Sequence, residues 1–148
     1  MSLNKVITSL SFFDAFSPED LAIVYPFMEI RNYGKGELII DEQVINTSLY
    51  FLLEGTVDIF VHNNLIARES GFGDVFGEMS ISGNKSSFAT IKSHHGATLL
   101  VFNFLAVHEV ESSKKEYLEK LIYKSFSEVL ANRLDKANRL INKLKKSA

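Results

Sequence analysis

Between Gly36 and Asn103 the chain is written in short runs of β-branched and aromatic residues. GELII, SLYFLLEG, GTVDIFVH, NLIARES, SFATIKS and ATLLVFN follow one another, punctuated by Gly or Asn. No other feature constrains the fold as strongly, because many short strands at close spacing form a sandwich or a barrel. Val57, Ile59 and Val61 alternate with Thr56, Asp58 and Phe60, the period of a half-buried strand. The segment HNNL predicts a tight hairpin turn, since Asn tolerates positive φ. The adjacent His94 and His95 in SHHG read as a solvated turn. On a strand the two would point to opposite faces and make a poor chelate.

Helical signals flank this β region. In FSPEDLAIVYPFMEIRNY, Ser17 is an N-cap, Pro18 suits the first helical position, and Asp20 completes a capping-box-like turn. Leu21, Val24 and Met28 follow at helical spacing, and Pro26 ends or kinks that helix early. A second helix is predicted from near Ser113, where Ser113 and Glu116 form another capping box and no Gly or Pro follows. Leu130, Leu134, Ala137, Ile141 and Leu144 step by alternating fours and threes, a coiled-coil-like seam. Leu118, Ile122, Phe126 and Val129 form an upstream stripe slightly out of phase with it. A helix of ~30 residues is ~45 Å long, more than one small β domain covers, so the seam predicts pairing with a twin in a homodimer. The chain thus divides into residues 1–112, a β domain with an N-terminal helix, and 113–148, a long dimerisation helix.

At 148 residues the chain can bury a real core, and its formal net charge of −2 provides no global field for nucleic acid or an anionic membrane. It has no cysteine, which excludes disulfides, thiolate metal sites and cysteine nucleophiles. No apolar run approaches the ~20 residues that span a bilayer, and MSLNKVITSL lacks a signal-peptide core. Asp14, Asp41, Asp58 and Asp74 are scattered, and no phosphate-binding P-loop or G-x-S-x-G occurs. These absences argue against an enzyme, and the cytoplasm is the default compartment.

The ordered set SPEDL, GELIIDE, SLYFLLEGTVDIF, GFGDVFGEMS, AT and ANRL resembles the cyclic nucleotide-binding domain family. That family includes the effector domains of catabolite-activator-type regulators, the regulatory subunits of cAMP-dependent kinase, and gated channels. The resemblance spans nearly the whole chain. It implies a mainly β fold with flanking helices: a β-roll of jelly-roll type between a short N-terminal helix and a long C-terminal one. It also implies a site. Gly77 allows close backbone approach, and a short helix beginning near Gly77 to Met79 would aim unpaired N–H groups at an anion. Glu78 matches the glutamate that accepts a hydrogen bond from the ribose 2′-hydroxyl. Without the resemblance, Glu78 reads as a favourable charge at a helix N-terminus.

The family also places an Arg before the AT of the next strand, to neutralise the cyclic phosphate. Counting back from Ala89 and Thr90, that place is Ser87, with Ser86 where Pro is usual and Phe88 where a small residue is usual. Losing a bidentate Arg–phosphate contact, with charged hydrogen bonds of roughly 1.5–3 kcal/mol each, costs roughly one to several decades of affinity. Lys85 can supply a point charge without the fork, although a solvated loop lysine is the plainer reading. Ser86 and Ser87 can still donate hydroxyl hydrogen bonds. Aligning NRL with the family's RRL brings Asn138 to a base-facing place on the long helix, where an exposed helix position is the alternative.

These residues predict a non-enzymatic regulatory module without a resident cofactor, whose candidate ligands are cAMP or cGMP. A homodimer would signal through its long helix to a separate protein partner. After NKLKKSA no recognition helix follows, so direct DNA binding is not expected. Neither is membrane association. The competing expectation is a roll that has lost its ligand and serves as a structural dimerisation or docking module.

Overall fold

The computed structural model describes residues 2–77, 89–110 and 113–147. Helix α1 (Leu3–Ser9), a 3-10 turn (Ser11–Phe13) and helix α2 (Pro18–Val24) lead into strands β1 (Met28–Tyr33), β2 (Leu38–Ile40), β3 (Leu49–Val61), β4 (Asn64–Glu69), β5 (Val75–Phe76) and β6 (Thr90–Phe102). A 3-10 segment (Phe104–Glu109) then precedes helix α3 (Lys115–Ser147). The strands form an antiparallel sheet in the order β1-β6-β3-β4, with β2 also paired to β6 and β5 to β3. This is the expected β-roll between short N-terminal helices and a long C-terminal one.

The local signals account for most boundaries. Ser17 and Asp20 form a reciprocal capping box: the Asp20 amide donates to Ser17 Oγ at 3.1 Å and the Ser17 amide to Asp20 Oδ2 at 3.0 Å. Helix α2 stops at Val24, and Pro26 sits in the 3-10 turn Tyr25–Phe27 that follows. His62 (φ 49°) and Asn63 (φ 67°) make the two-residue hairpin turn between β3 and β4. The start of α3 differs from expectation. Its first bond runs from the Leu118 amide to the Lys114 carbonyl, so Lys114 occupies the cap position predicted for Ser113.

Two pairs of runs that read as separate strands are single strands. SLYFLLEG and GTVDIFVH are the two halves of β3, and ATIKS and ATLLVFN are those of β6. Their glycines mark a shared bend. Thr56 pairs with Gly96 and Gly55 with Ala97, at φ +88° for Gly55 and +141° for Gly96. A Cβ on Gly55 would lie 2.2 Å from the Gly96 carbonyl oxygen, so only glycine lets the strands touch there. SHHG is correspondingly not a solvated turn. The register jumps from Thr56–Gly96 to Val57–Ser93, and His94 and His95 form a bulge within β6 with ring centroids 4.0 Å apart.

Alternate residues of β3 and β6 serve two cores. Leu49, Phe51, Leu100 and Phe102 face the helices, while Tyr50, Leu52, Leu99 and Val101 face the roll interior with Ile39, Ile40, Val57 and Phe76. On the helix side Phe12 packs edge-on against Phe51 and Phe126, Phe13 lies tilted against Phe51, and Phe16 packs edge-on against Phe13. Leu118, Ile122 and Phe126 of α3 are buried in this cluster, so the upstream stripe belongs to the roll's own core. The seam does not: Leu130, Leu134, Ile141 and Leu144 are 44–63% exposed.

Candidate functional site

Strand β5 consists of Val75 and Phe76, paired with Phe51 and Tyr50 of β3. This pairing fixes where the chain emerges at Gly77. Gly77 is buried and has φ +90°, a conformation that glycine adopts without strain. Asn46 grips it from the segment after β2. Its Nδ2 donates to the Ser48 carbonyl at 2.5 Å and to the Gly77 carbonyl at 3.4 Å, while its Oδ1 accepts from the Ser48 amide at 3.2 Å. A Cβ on Gly77 would meet Asn46 Nδ2 at 2.5 Å and the Ser48 oxygen at 2.7 Å. Close backbone approach is therefore used here, and it is an approach to Asn46 and Ser48.

Thr90 pairs with Phe60 of β3, and its hydroxyl accepts from the Glu42 amide at 3.1 Å. Glu78, Met79, Lys85, Ser86, Ser87 and Phe88 lie outside the described residues. Asn138 is exposed on α3, two residues past Lys136, the last α3 residue lining the groove beside β5.

That groove, of about 660 Å³, runs between α3, the N-terminal turn and the segment Phe72–Val75. Arg133 spans it and donates to the Val75 carbonyl, two residues before Gly77. The residue as a whole is exposed, while its guanidinium lies against β5 at Val75. Desolvation lowers its pKa from the ordinary guanidinium value, against the pull of Asp74 and Glu69. A guanidinium remains cationic at neutral pH even so, and α3 thereby delivers a positive charge beside the start of the candidate site. Sequence reasoning passed over Arg133, although it stands inside the ANRL run, and over Asn46, for which INTS carries no local signal.

A second polar cluster was also missed. Asp58, expected on the solvated face of its strand, is only 8% exposed. Its carboxylate accepts from Arg68 Nε at 2.7 Å and lies 2.9 Å from His94 Nδ1. Burial works to raise its pKa, but these two partners outweigh it and hold the carboxyl below its ordinary range. Among the described residues no His, Asp or Glu group could hold a metal ion, and no helix is long and apolar enough to cross a membrane.

A β-roll with short N-terminal helices and a long C-terminal helix is the architecture of a regulatory ligand-binding class of domain. The model of the cyclic nucleotide-binding domain matches residues 30–111, more than half of the chain, and the protein belongs to that family. Solved structures agree on the fold. A Geobacter metallireducens GS-15 protein, provisionally assigned as a cyclic nucleotide-binding protein, superposes with a TM-score of 0.77 at 19% identity, covering 90% of this chain and 99% of its own. The Thermus thermophilus catabolite activator protein gives 0.64 at 22% identity, over 90% of this chain and 62% of its own. The sensor domain of the transcriptional regulator DNR from Pseudomonas aeruginosa gives 0.64 at 15% identity, over 90% and 91%. No curated protein sequence matches the chain.

Proposed function

We propose that this protein is a non-enzymatic, cytoplasmic sensor that works as a homodimer, takes a cyclic nucleotide or a related ligand at the cassette opened by Gly77, and signals through α3 to a separate protein. The observation that carries this reading is the Gly77 clamp. Asn46, Ser48 and β5 hold one backbone position in a glycine-only conformation at the place where the family's ligand contacts begin. Glu78 and the amides of Gly77 to Met79 would hold the ribose and phosphate, with Ser86, Ser87 and Lys85 on the opposite rim.

The missing arginine at Ser87 makes this a weak site for cAMP and cGMP, or one for a less charged ligand. Arg133 supplies a cation near the cassette from α3 and ties ligand occupancy to the helix that carries the signal. Support for the dimer comes from the seam, where Leu134 and Leu144 are 63% and 61% exposed on a helix that continues beyond the roll. On this reading the dimerisation segment begins after Phe126, since earlier turns of α3 belong to the roll's core. Asn138, past the groove, would face a base from the partner's side.

Ser87 and Phe88 favour a second reading, a roll that binds no nucleotide and serves as a dimerisation module. Calorimetry with cAMP, cGMP and cyclic dinucleotides separates the two. Weak binding that Glu78→Ala abolishes supports the sensor. Heats indistinguishable from dilution for every ligand, in a protein shown to be dimeric, select the structural module.

A further inference from the structure

A second cleft lies apart from the groove beside α3. It has a volume of about 720 Å³ and opens between β1, β2, the segment 41–48 and the end of β6. This volume falls within the range of small-molecule sites. Its rim is apolar and exposed: Leu38 is 47% accessible, and Val44 and Ile45 are 58% each. Its floor is polar. Glu29 and Arg31 lie on one face of β1 as an ion pair, and Tyr50 of β3 stands beside them.

Tyr50 is the informative residue. Only 8% of it is accessible, and its hydroxyl finds no hydrogen-bond partner among the described residues. The oxygen is not sealed in, since Ser93 Oγ is the sole buried side-chain atom among the described residues that is both enclosed and unpaired. The hydroxyl is therefore open to solvent, and Tyr50 lines the cleft. A buried phenol normally finds a partner, and one aimed unpaired into a cavity has room for a ligand's polar atom. Burial, with Tyr33 and Glu29 close by, raises its pKa, so the group is a neutral donor at physiological pH.

We infer that this cleft is a second ligand site, which takes an uncharged small molecule with an apolar body and a hydroxyl or carboxamide head. The body meets Leu38, Val44 and Ile45, and the head pairs with the Tyr50 hydroxyl. Charge decides against an ionic head. Glu29 neutralises Arg31, and Asp41 leaves the lining with one excess negative charge, which repels carboxylates. A cationic head would require Glu29 to leave Arg31. The wall shared with the candidate nucleotide site is short: Ile40, Asn46 and Ser48 line the cleft on one side and clamp Gly77 on the other. The inference stands independently of whether a cyclic nucleotide binds.

The probes are benzamide, benzyl alcohol, benzoate and benzylamine, titrated into isotope-labelled full-length protein and followed by backbone amide shifts. Benzamide and benzyl alcohol should move the amides of Arg31, Tyr50, Val101 and Asn103 at about 10 mM, a range suited to ligands of this size. Benzoate should bind at least several-fold more weakly. Tyr50→Phe should weaken benzamide about five-fold, the worth of one neutral hydrogen bond. It should leave the fold intact, since the hydroxyl has no partner to lose. Ile45→Ser, at an exposed rim position, should weaken benzamide as well and provides a second route if Tyr50→Phe is poorly folded. The inference is overturned if no probe moves these amides, if benzoate or benzylamine binds tightest, or if benzamide is indifferent to both substitutions.

Discussion

Gly77→Ala tests the clamp that carries the functional reading. The added Cβ would sit 2.5 Å from Asn46 Nδ2 and 2.7 Å from the Ser48 carbonyl oxygen. Asn46 can swing away, but it then gives up its hydrogen bonds to Ser48 and Gly77. At about 1 kcal/mol for each bond lost, that relaxation costs roughly 1–3 kcal/mol. The left-handed backbone at φ +90° adds about 1–2 kcal/mol for a residue with a side chain. The total of roughly 2–5 kcal/mol should lower Tm by about 4–20 °C for a domain of this size. Gly36→Ala is the control. Gly36 has φ +71° but nothing within 4 Å of its Cβ position, so its substitution bears the backbone strain alone. Thermal and urea unfolding of both variants give the difference directly. If Gly77→Ala is no more destabilising than Gly36→Ala, the clamp is not under the constraint the contacts imply, and the argument for a built cassette fails with it.

Other outcomes follow from the same structure. Leu134→Asp should convert a dimer to a monomer by light scattering without lowering the monomer's stability, because Leu134 is 63% exposed on its own chain and only a partner would bury the charge; a dimer that survives refutes the seam. Ser87→Arg with Phe88→Ser should raise cAMP affinity about ten-fold or more by calorimetry, and added Glu78→Ala should remove much of that gain; no binding at millimolar nucleotide by a folded double variant selects the structural module. Asp20 is 1% exposed, and although burial pushes its carboxyl up, the hydrogen bonds from Ser17 and Tyr117 and the charge of Lys114 outweigh it, so its folded pKa lies below 3.8. Its contribution is therefore complete above the unfolded pKa and is lost as pH falls through and below that value. Asp20→Asn should cost about 1 kcal/mol in urea unfolding near pH 7, the difference should shrink as pH falls below the ordinary Asp range, and a pH-independent difference would refute the ionic account.

What the sequence disclosed was mostly local. Ser17 with Asp20, Pro26, and the His62–Asn63 turn act within a few residues, and each appears in the structure where its chemistry placed it. The stripe through Leu118, Ile122 and Phe126 was readable because a helix repeats its buried face. Gly55 and Gly96 were misleading, since glycine between strand-like runs signals a turn equally as well as a bend within one strand, and only the partner strand decides. Asp58 looked solvated on period alone, and its burial depends on Arg68 and on a bulge at His94 that no local pattern announces. Asn46 and Arg133 reach the Gly77 end from distant parts of the chain, so nothing near Gly77 in sequence points to them. Glu78, Ser87 and their neighbours were legible only through the family resemblance.

The touching backbones of Gly55 and Gly96 also bear on how the chain finds a single alignment. Along β3 and β6 both faces are apolar, since Leu49, Phe51, Leu100 and Phe102 feed one core and Tyr50, Leu52, Leu99 and Val101 the other. A slip of one residue would exchange oily side chains for oily side chains, so the hydrophobic pattern alone selects the pairing weakly. The approach of Gly55 to within van der Waals contact of Gly96 and Ala97 removes that ambiguity, because any shift would bring a side chain into a space that holds none. Two residues with no side chains thus act as a vernier mark within the longest ladder among the described residues, and the pairs from Glu54–Thr98 to Thr56–Gly96, between the two register shifts, take their alignment from them.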